Sequence, residues 1–127
     1  MTFSISGFCE RTGMVGVAIT TSSISVASRC PWIRAGVGAA ATQNVTDPSL
    51  GDLMLDGLEQ GQTPDEVIDQ LVNQREFIEY RQLALIDAQG RSASFTGAQT
   101  LGTNAVVQGD GCIAAGNLLI TTNVPQA

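Results

Sequence analysis

The first residue with the right chemistry and position for catalysis is Thr2. A methionine before a small residue is the context in which the initiator Met1 is commonly removed, which leaves threonine at the N-terminus. Such a threonine combines nucleophile and base, because its hydroxyl attacks while its own amine accepts the proton. The α-amino group titrates near ~8, so a useful fraction is neutral at physiological pH. The alternative is an ordinary residue at the start of a strand.

Two cysteines are alternative nucleophiles. Cys9 follows the first predicted strand, and Cys30 lies close in sequence to Arg29 and Arg34, whose positive charges favour a thiolate. Either thiol is equally well explained as a small buried hydrophobe. Three cysteines without a CxxC motif favour a reducing compartment over a disulfide framework.

Two missing residue types narrow the chemistry further. The chain has no histidine, and all six of its basic residues are arginine, so lysine is absent as well. These absences exclude a Ser-His-Asp triad, a Schiff-base lysine and a phosphate-loop lysine within this chain. They also remove the commonest nitrogen ligand of zinc, and we expect neither a metal nor a cofactor. Any catalysis here requires an unusual base, such as the α-amino group.

Three polar side chains are candidates for contacts with a substrate. Arg34 and Arg81 lie in or beside predicted strands, where each guanidinium either binds a substrate carboxylate or pairs with Asp87 or Glu79. Asn117 ends an apolar stretch, and its amide, with backbone N–H groups of glycine-rich segments, is suited to stabilise an oxyanion. An asparagine after glycine is also a routine turn residue.

Composition indicates one globular domain over residues 1–127. Hydrophobic residues make up 43% and charged residues 14% of the chain, and the net charge is −6. An acidic chain is poorly suited to nucleic acid or to an anionic membrane surface, so we expect neither as a partner. Without a signal-peptide pattern or a long apolar run, the expected location is cytoplasmic.

Hydrophobic periodicity predicts strands, then two helices, then strands. Alternation over 2–8 indicates a half-buried strand, and the apolar run 14–20 indicates its hairpin partner, buried on both faces. A third strand of small residues is predicted over 36–43. One helix is predicted after Asp47-Pro48, up to Gly61, and a second begins at the capping box Thr63-Pro64-Asp65-Glu66.

The second half returns to a period of two. Strands are predicted over 80–86 and 91–97, joined by a turn at 87–90, and a final strand near 111–116. This order indicates an α+β layered fold. Residues 124–127 are typical of a first helical turn. One pair of helices covers only one sheet face, so we expect either a larger unit or a short protein that dimerises through the other face.

Several segments, taken in order, resemble one bacterial family, the domain-of-unknown-function family number 1028. The segments are Met1-Thr2-Phe3-Ser4-Ile5, the run 30–39, Ala41-Thr42-Gln43-Asn44, Tyr80-Arg81-Gln82-Leu83 with Asp87, Phe95-Thr96-Gly97, and Ala115-Gly116-Asn117-Leu118-Leu119. The fold of that family is similar to that of the N-terminal-nucleophile (Ntn) hydrolases. The resemblance spans essentially the whole chain.

The resemblance implies a four-layer αββα sandwich, of which this chain is the N-terminal part. It implies that Thr2 is the nucleophile once Met1 is removed, with Asn117 beside it. Matching motifs place Thr42, Gln43, Thr96 and Gly97 along the site, which Arg34 and Arg81 would complete as substrate-binding residues.

The sequence departs from the pattern in three ways. Met1 blocks the Thr2 amine, the lysine that assists threonine in proteasome-like members is absent, and the chain stops at Ala127, where family members usually continue. We therefore expect a second chain or a homo-oligomer, with chain cleavage or truncation as explanations of the end. The expected function is hydrolysis of a small amide or cyclic amide by a hydroxyl or thiol. The alternative is a non-catalytic binding or assembly protein.

Overall fold

Eight strands and two helices make up the chain in a computed structural model that describes all of residues 1–127. The strands are β1 Thr2–Cys9, β2 Met14–Thr21, β3 Pro31–Arg34, β4 Gly38–Asn44, β5 Arg81–Asp87, β6 Ser92–Thr96, β7 Ala105–Gly109 and β8 Cys112–Asn117. The helices are α1 Ser49–Glu59 and α2 Pro64–Gln74. Short 3₁₀ turns occupy 26–28, 78–80 and 124–126. The fold is therefore mixed α+β, as the sequence predicted.

The strands form two antiparallel sheets of four. The first sheet has the order β2-β1-β8-β7 and the second the order β3-β4-β5-β6. The sheets pack face to face, and both helices pack on the outer face of the second sheet. One apolar core lies between the helices and the second sheet, and a smaller one lies between the sheets. The chain thus forms three layers, and both α-helices lie against the second sheet and neither against the first.

The helices begin where the sequence predicted. Thr63 forms the capping box with Glu66 at the start of α2, and Val67, Ile68 and Leu71 bury one face of that helix. In α1 the buried residues include Leu50, Met54 and Leu55, and Gly61 follows its end with a positive φ of 91°. The left-handed backbone at Gly61 is what glycine accommodates without strain.

Some sequence predictions for the strands were wrong or incomplete. We predicted β2 to be buried on both faces, but alternate residues of it are exposed. The reason is its place at the edge of the first sheet, whose outer face carries no helical layer. The sequence does not predict strands β3 and β7, which are four and five residues long.

Candidate functional site

Polar residues from both sheets meet at one end of the sandwich. Thr2 begins β1 and is the register partner of Asn117, the last residue of β8. In the second sheet Gln82, near the start of β5, pairs with Gln43 on one side and Thr96 on the other. Because the strands are antiparallel, their starts and ends alternate along each edge, which brings these five residues together.

A buried network of three amides connects the two sheets. Gln43 Nε2 donates to Gln82 Oε1 at 2.8 Å, and Asn117 Nδ2 donates to the same oxygen at 3.2 Å. Gln82 Nε2 donates across the interface to the Gly116 carbonyl oxygen at 3.1 Å. All three side chains are at most 2% exposed. The network ties the end of β8 to the second sheet.

The orientation of these amides follows from one fixed acceptor. A backbone carbonyl only accepts hydrogen bonds, so Gln82 must turn its NH₂ group toward Gly116 and its oxygen toward the other two amides. Gln43 and Asn117 must then both present NH₂ groups to that oxygen. Gln43 Oε1 is left buried without a hydrogen-bond partner. A buried, unpaired carbonyl is costly, and such groups are rare in folded proteins.

Thr2 itself is bonded to the neighbouring strand. Its Oγ1 lies 2.9 Å from Oγ1 of Thr21, its register partner on β2. Met1 continues this pairing, since its carbonyl oxygen accepts from the Ser22 N–H at 3.3 Å. In this form the nitrogen of Thr2 is part of a peptide bond and has no basic lone pair.

The backbone at this end is locally unusual. Asn44 and Leu118, which directly follow Gln43 and Asn117, have φ values of 77° and 51°. Left-handed backbone is uncommon for residues other than glycine, and it clusters at functional sites. The Asn44 amide compensates by donating to the Tyr80 carbonyl at 2.6 Å and accepting from the Leu101 N–H at 3.1 Å.

Two other predicted site residues belong to the opposite face of the second sheet. Thr42 faces the helices, where its hydroxyl donates to the Asp47 carbonyl oxygen at 3.3 Å. Arg81 also lies on that side and donates to the Val45 carbonyl oxygen. Arg81 does not pair with a carboxylate, so the predicted pairing with Asp87 or Glu79 is wrong.

Gly97 follows β6, and its lack of a side chain is a structural requirement. A Cβ atom built on it would lie 2.2 Å from the Glu79 carbonyl oxygen, so only glycine allows this approach. Its N–H donates to the Arg81 carbonyl oxygen at 2.9 Å and is therefore already engaged.

Arg34 lies at the far end of the second sheet. Its guanidinium contacts Asp56 at 2.8 Å and Glu59 at 2.7 Å, both on α1, and Asp52 at 3.8 Å. The hydrogen bond to Asp56 is the main cause that raises the pKa of Arg34 above its usual value. The structure therefore separates Arg34 from the polar cluster. Its guanidinium contacts carboxylates of α1 and not Asp87 or Glu79.

The two alternative nucleophiles have different surroundings. Cys9 is exposed at the end of β1 opposite to Thr2, and hydrogen bonds with the side chain and backbone of Thr12 lower the pKa of its thiol. Cys30 is buried, with its sulfur 3.7 Å from Arg29 Nη1 and 3.6 Å from Thr46 Oγ1. Neither thiol takes part in the amide network.

Sequence reasoning missed two residues of the cluster, Gln82 and Thr21. Gln82 stands in a predicted strand among apolar residues, and a long amide at such a position signals a buried hydrogen-bond network. Thr21 lies one residue beyond the predicted second strand, and only the β1–β2 register shows that it faces Thr2.

Other features that could indicate a function are cavities, clusters of metal-ligating side chains and membrane-spanning helices. A polar cavity of about 480 Å³ occurs near Asp87, Arg91 and Gln62, at the opposite end of the sandwich. No group of three or more His, Cys, Asp or Glu side chains is placed to hold a metal ion. No helix of the chain combines the length and apolarity needed to cross a bilayer.

Two stacked antiparallel sheets with helices on one of them define a layered α+β protein. The chain belongs to the family described as "Family of unknown function (DUF1028)", whose model matches residues 2–127. The crystal structure of protein SPO2555 from Silicibacter pomeroyi, which carries the same family designation, is similar with a TM-score of 0.96 and 31% identity. That match covers 99% of this chain and 58% of the neighbour, so the chain spans less than two thirds of that protein's length. No curated protein matches the sequence.

Proposed function

We propose that this protein is an amide hydrolase of the Ntn type, with Thr2 as its nucleophile after removal of Met1. The observation that supports this proposal is the placement of Thr2 at the mouth between the sheets, as the register partner of Asn117 and beside the buried amide network. The α-amino group of Thr2 supplies the base that a chain without histidine and lysine otherwise lacks.

The reaction proceeds in two steps. Thr2 Oγ1 attacks the amide carbonyl, its proton passes to the α-amino group, and the oxygen of the substrate becomes an oxyanion. The Asn117 amide has a second N–H that its bond to Gln82 does not use, and this N–H stabilises the oxyanion. The C–N bond then breaks, the amine leaves with the proton, and water hydrolyses the ester on Thr2.

Substrate recognition falls to the groups of the cluster that remain free. The unpaired Gln43 Oε1 is suited to accept from an N–H of a small amide or cyclic amide. Thr96 lies on the other side of Gln82, on β6, with its Oγ1 at 3.4 Å from Gln82 Nε2. The recognition site that we propose does not include Thr42 and Arg81, which lie on the helical side of the second sheet, or Arg34, which contacts Asp56 and Glu59.

We also propose that the complete sandwich has four layers of the Ntn type. Further polypeptide or a partner chain would then cover the outer face of the first sheet. That face exposes Ile5 and Met14, and chain-end processing of the kind found in Ntn hydrolases would fit a two-chain form.

The test begins with protein whose Met1 has been removed by an aminopeptidase, verified by intact mass and N-terminal sequencing. The probe is p-nitrophenyl acetate, and all proteins carry Cys9→Ala, because the exposed, acidic Cys9 thiol would itself be acetylated. We expect fast acetylation of the N-terminal peptide in this protein and in Thr2→Ser, and in Thr2→Ala only the slow direct acetylation that any free α-amine undergoes, with equal melting temperatures.

Two results would contradict the proposal. Acetylation that persists in Thr2→Ala and disappears in Cys30→Ala would assign the nucleophile to a thiol. A free Thr2 that stays unmodified at every pH would favour the non-catalytic binding or assembly protein.

A further inference from the structure

The Thr21 hydroxyl forms hydrogen bonds with the Thr2 hydroxyl and with the Met1 carbonyl oxygen. Its Oγ1 lies 2.9 Å from Thr2 Oγ1 and 3.1 Å from the Met1 carbonyl oxygen. The Ser23 N–H donates to the same Oγ1 at 3.2 Å. Thr21 thus bonds both to the attacking hydroxyl of Thr2 and to the carbonyl that is joined to the Thr2 nitrogen.

The direction of these hydrogen bonds is determined. A carbonyl oxygen only accepts, so the single hydroxyl proton of Thr21 goes to Met1. Thr2 Oγ1 must then donate its proton to Thr21 Oγ1. In the form with Met1, the proton that the nucleophile must lose already points at Thr21.

Removal of Met1 changes only one end of this chain of hydrogen bonds. The acceptor of the Thr21 proton disappears together with the Met1 carbonyl, and the Thr2 nitrogen becomes an amine. The oxygen and nitrogen of one peptide bond are only about 2.2 Å apart, so this amine arises close to the vacated acceptor position. The neutral amine has a lone pair that can take over as acceptor of the Thr21 proton.

We propose that Thr21 is the positioning residue that relays the proton from the Thr2 hydroxyl to the Thr2 amine. This inference rests on the proposed function. As Thr2 Oγ1 forms its bond to the acyl carbon, its proton moves to Thr21 Oγ1, and the Thr21 proton moves to the lone pair of the amine. Thr21 ends the step as a neutral hydroxyl, and the ammonium holds the proton for the leaving group.

The side chains around Thr2 carry no ionisable group, so the α-amine of Thr2 is the group whose protonation changes with pH at this site. The side chains facing Thr2 from β2 and β8 are Thr21 and Asn117, and the network behind them consists of Gln82 and Gln43. All four are uncharged. A merely structural role for Thr21, as a bond that holds the edge of the β1–β2 hairpin, would contribute to stability and leave the pH dependence of acylation unchanged.

The experiment compares Thr21→Val with Thr21→Ser in protein with a free Thr2 and Cys9→Ala. Valine matches the shape of threonine but lacks the hydroxyl, whereas serine retains it. The acetylation rate with p-nitrophenyl acetate is measured from pH 6 to 10 after subtraction of the rate of the Thr2→Ala protein, whose α-amine reacts directly, and melting temperatures are recorded in parallel. We expect the parent rate to rise through the pKa of the amine, near ~8.

Thr21→Val should lower the rate about 10²-fold and weaken this rise with pH, because proton transfer by a positioned group contributes on that order. Thr21→Ser should restore both the rate and the profile. A valine variant with the parent rate and profile, whether or not it melts earlier, would overturn the relay and leave Thr2 as the nucleophile. Absence of acetylation in the parent protein would overturn both proposals.

Discussion

Asn117 shows how a side chain can be buried and still have a hydrogen-bond donor available. Its amide points between the sheets to Gln82 and does not bond to its own turn. Gln82 Oε1 also receives Gln43 Nε2, so it keeps a donor when Asn117 is shortened. The contributions of Asn117 to stability and to chemistry are therefore separable.

We expect Asn117→Ala to lower the acetylation rate of free Thr2 by about 10²–10³-fold, the usual effect of losing one oxyanion donor. The melting temperature should change little, because the substitution leaves no polar atom of Gln82 unpaired. Stopped-flow rates and thermal unfolding of the same preparations check both parts. Loss of stability with a normal rate per folded molecule would instead assign Asn117 a purely structural role.

Gln82→Leu provides the matched contrast. It removes the partner of Gln43, Asn117 and the Gly116 carbonyl together, and each buried group left unpaired costs about 1–3 kcal/mol. This variant should therefore lose stability as well as rate.

The sequence predicts the types of the site residues better than their arrangement. Thr2 and Asn117 follow from position and chemistry, but their pairing depends on the register of strands that are far apart in sequence. Thr42 and Gln43 cannot be distinguished by periodicity, because β4 is buried on both faces and alternation carries no signal. The pairing of Arg34 with Asp56 and Glu59 has no local signal, because these partners lie on a helix more than twenty residues away.

Among the helices and strands, α2 has the clearest local signal for the residue at which it begins, the capping box of Thr63 and Glu66. Thr63 Oγ1 accepts from the Glu66 N–H at 3.3 Å, and the Glu66 carboxylate accepts from the Thr63 N–H at 2.7 Å. The backbone and side-chain hydrogen bonds of Thr63 lower the pKa of Glu66 below its usual range. A lowered pKa means that the folded state favours the ionised carboxylate.

We expect Thr63→Ala to destabilise the protein by about 1 kcal/mol at pH 7, the usual effect of losing an N-cap, whereas Thr63→Ser should stay near the parent value. The part that Glu66 contributes is fully present above its unfolded pKa of about 4.3 and is lost as the pH falls through the lowered folded value. Thr63→Ala keeps the backbone N–H bond to Glu66 and loses only the hydroxyl bond, so the part of the difference that is due to the hydroxyl bond should disappear below about pH 4. Urea unfolding at several pH values measures it, and a constant difference would contradict the assignment to Glu66.

Local signals account for most of the fold. Capping residues, apolar spacing and turn residues predict both helices and six strands near their observed positions. Strands β3 and β7 show no clear alternation of apolar and polar residues, and their extended conformation depends on pairing with β4 and β8. The burial of β2 depends on its position at the edge of the first sheet, and the residues of β2 alone do not indicate that position.

For the molecule as a whole, the outer face of the first sheet is the feature from which we predict its association in solution. Phe3, Ile5 and Ala18 line a shallow apolar depression of about 240 Å³ on this face. Ile5 is 44% exposed although it lies in a central strand. Apolar surface in the middle of a sheet face is normally covered by another layer.

We expect the isolated chain to self-associate through this face, and Ile5→Lys to weaken the association without unfolding the protein. Leu53→Lys, at a partly exposed position of α1 on the opposite side of the molecule, is the matched control and should leave association unchanged. Sedimentation velocity over a range of concentrations measures it. A folded parent chain that stays monomeric at every concentration would contradict the expectation.

The hydrogen bonds of Met1 bear on the order of events after synthesis. The Met1 carbonyl accepts from both the Ser22 N–H and the Thr21 hydroxyl, and the Met1 amine donates to Ser22 Oγ at 3.4 Å. An aminopeptidase needs a free, extended N-terminus, and hairpins close within about 1–10 μs once both strands are available. If Met1 is removed as proposed, the removal is therefore favoured before β2 leaves the ribosome, and afterwards it requires that the hairpin end opens first. The ratio of chains without Met1 to chains with Met1 would then depend on the rate of Met1 removal relative to the rate at which the β1–β2 hairpin forms.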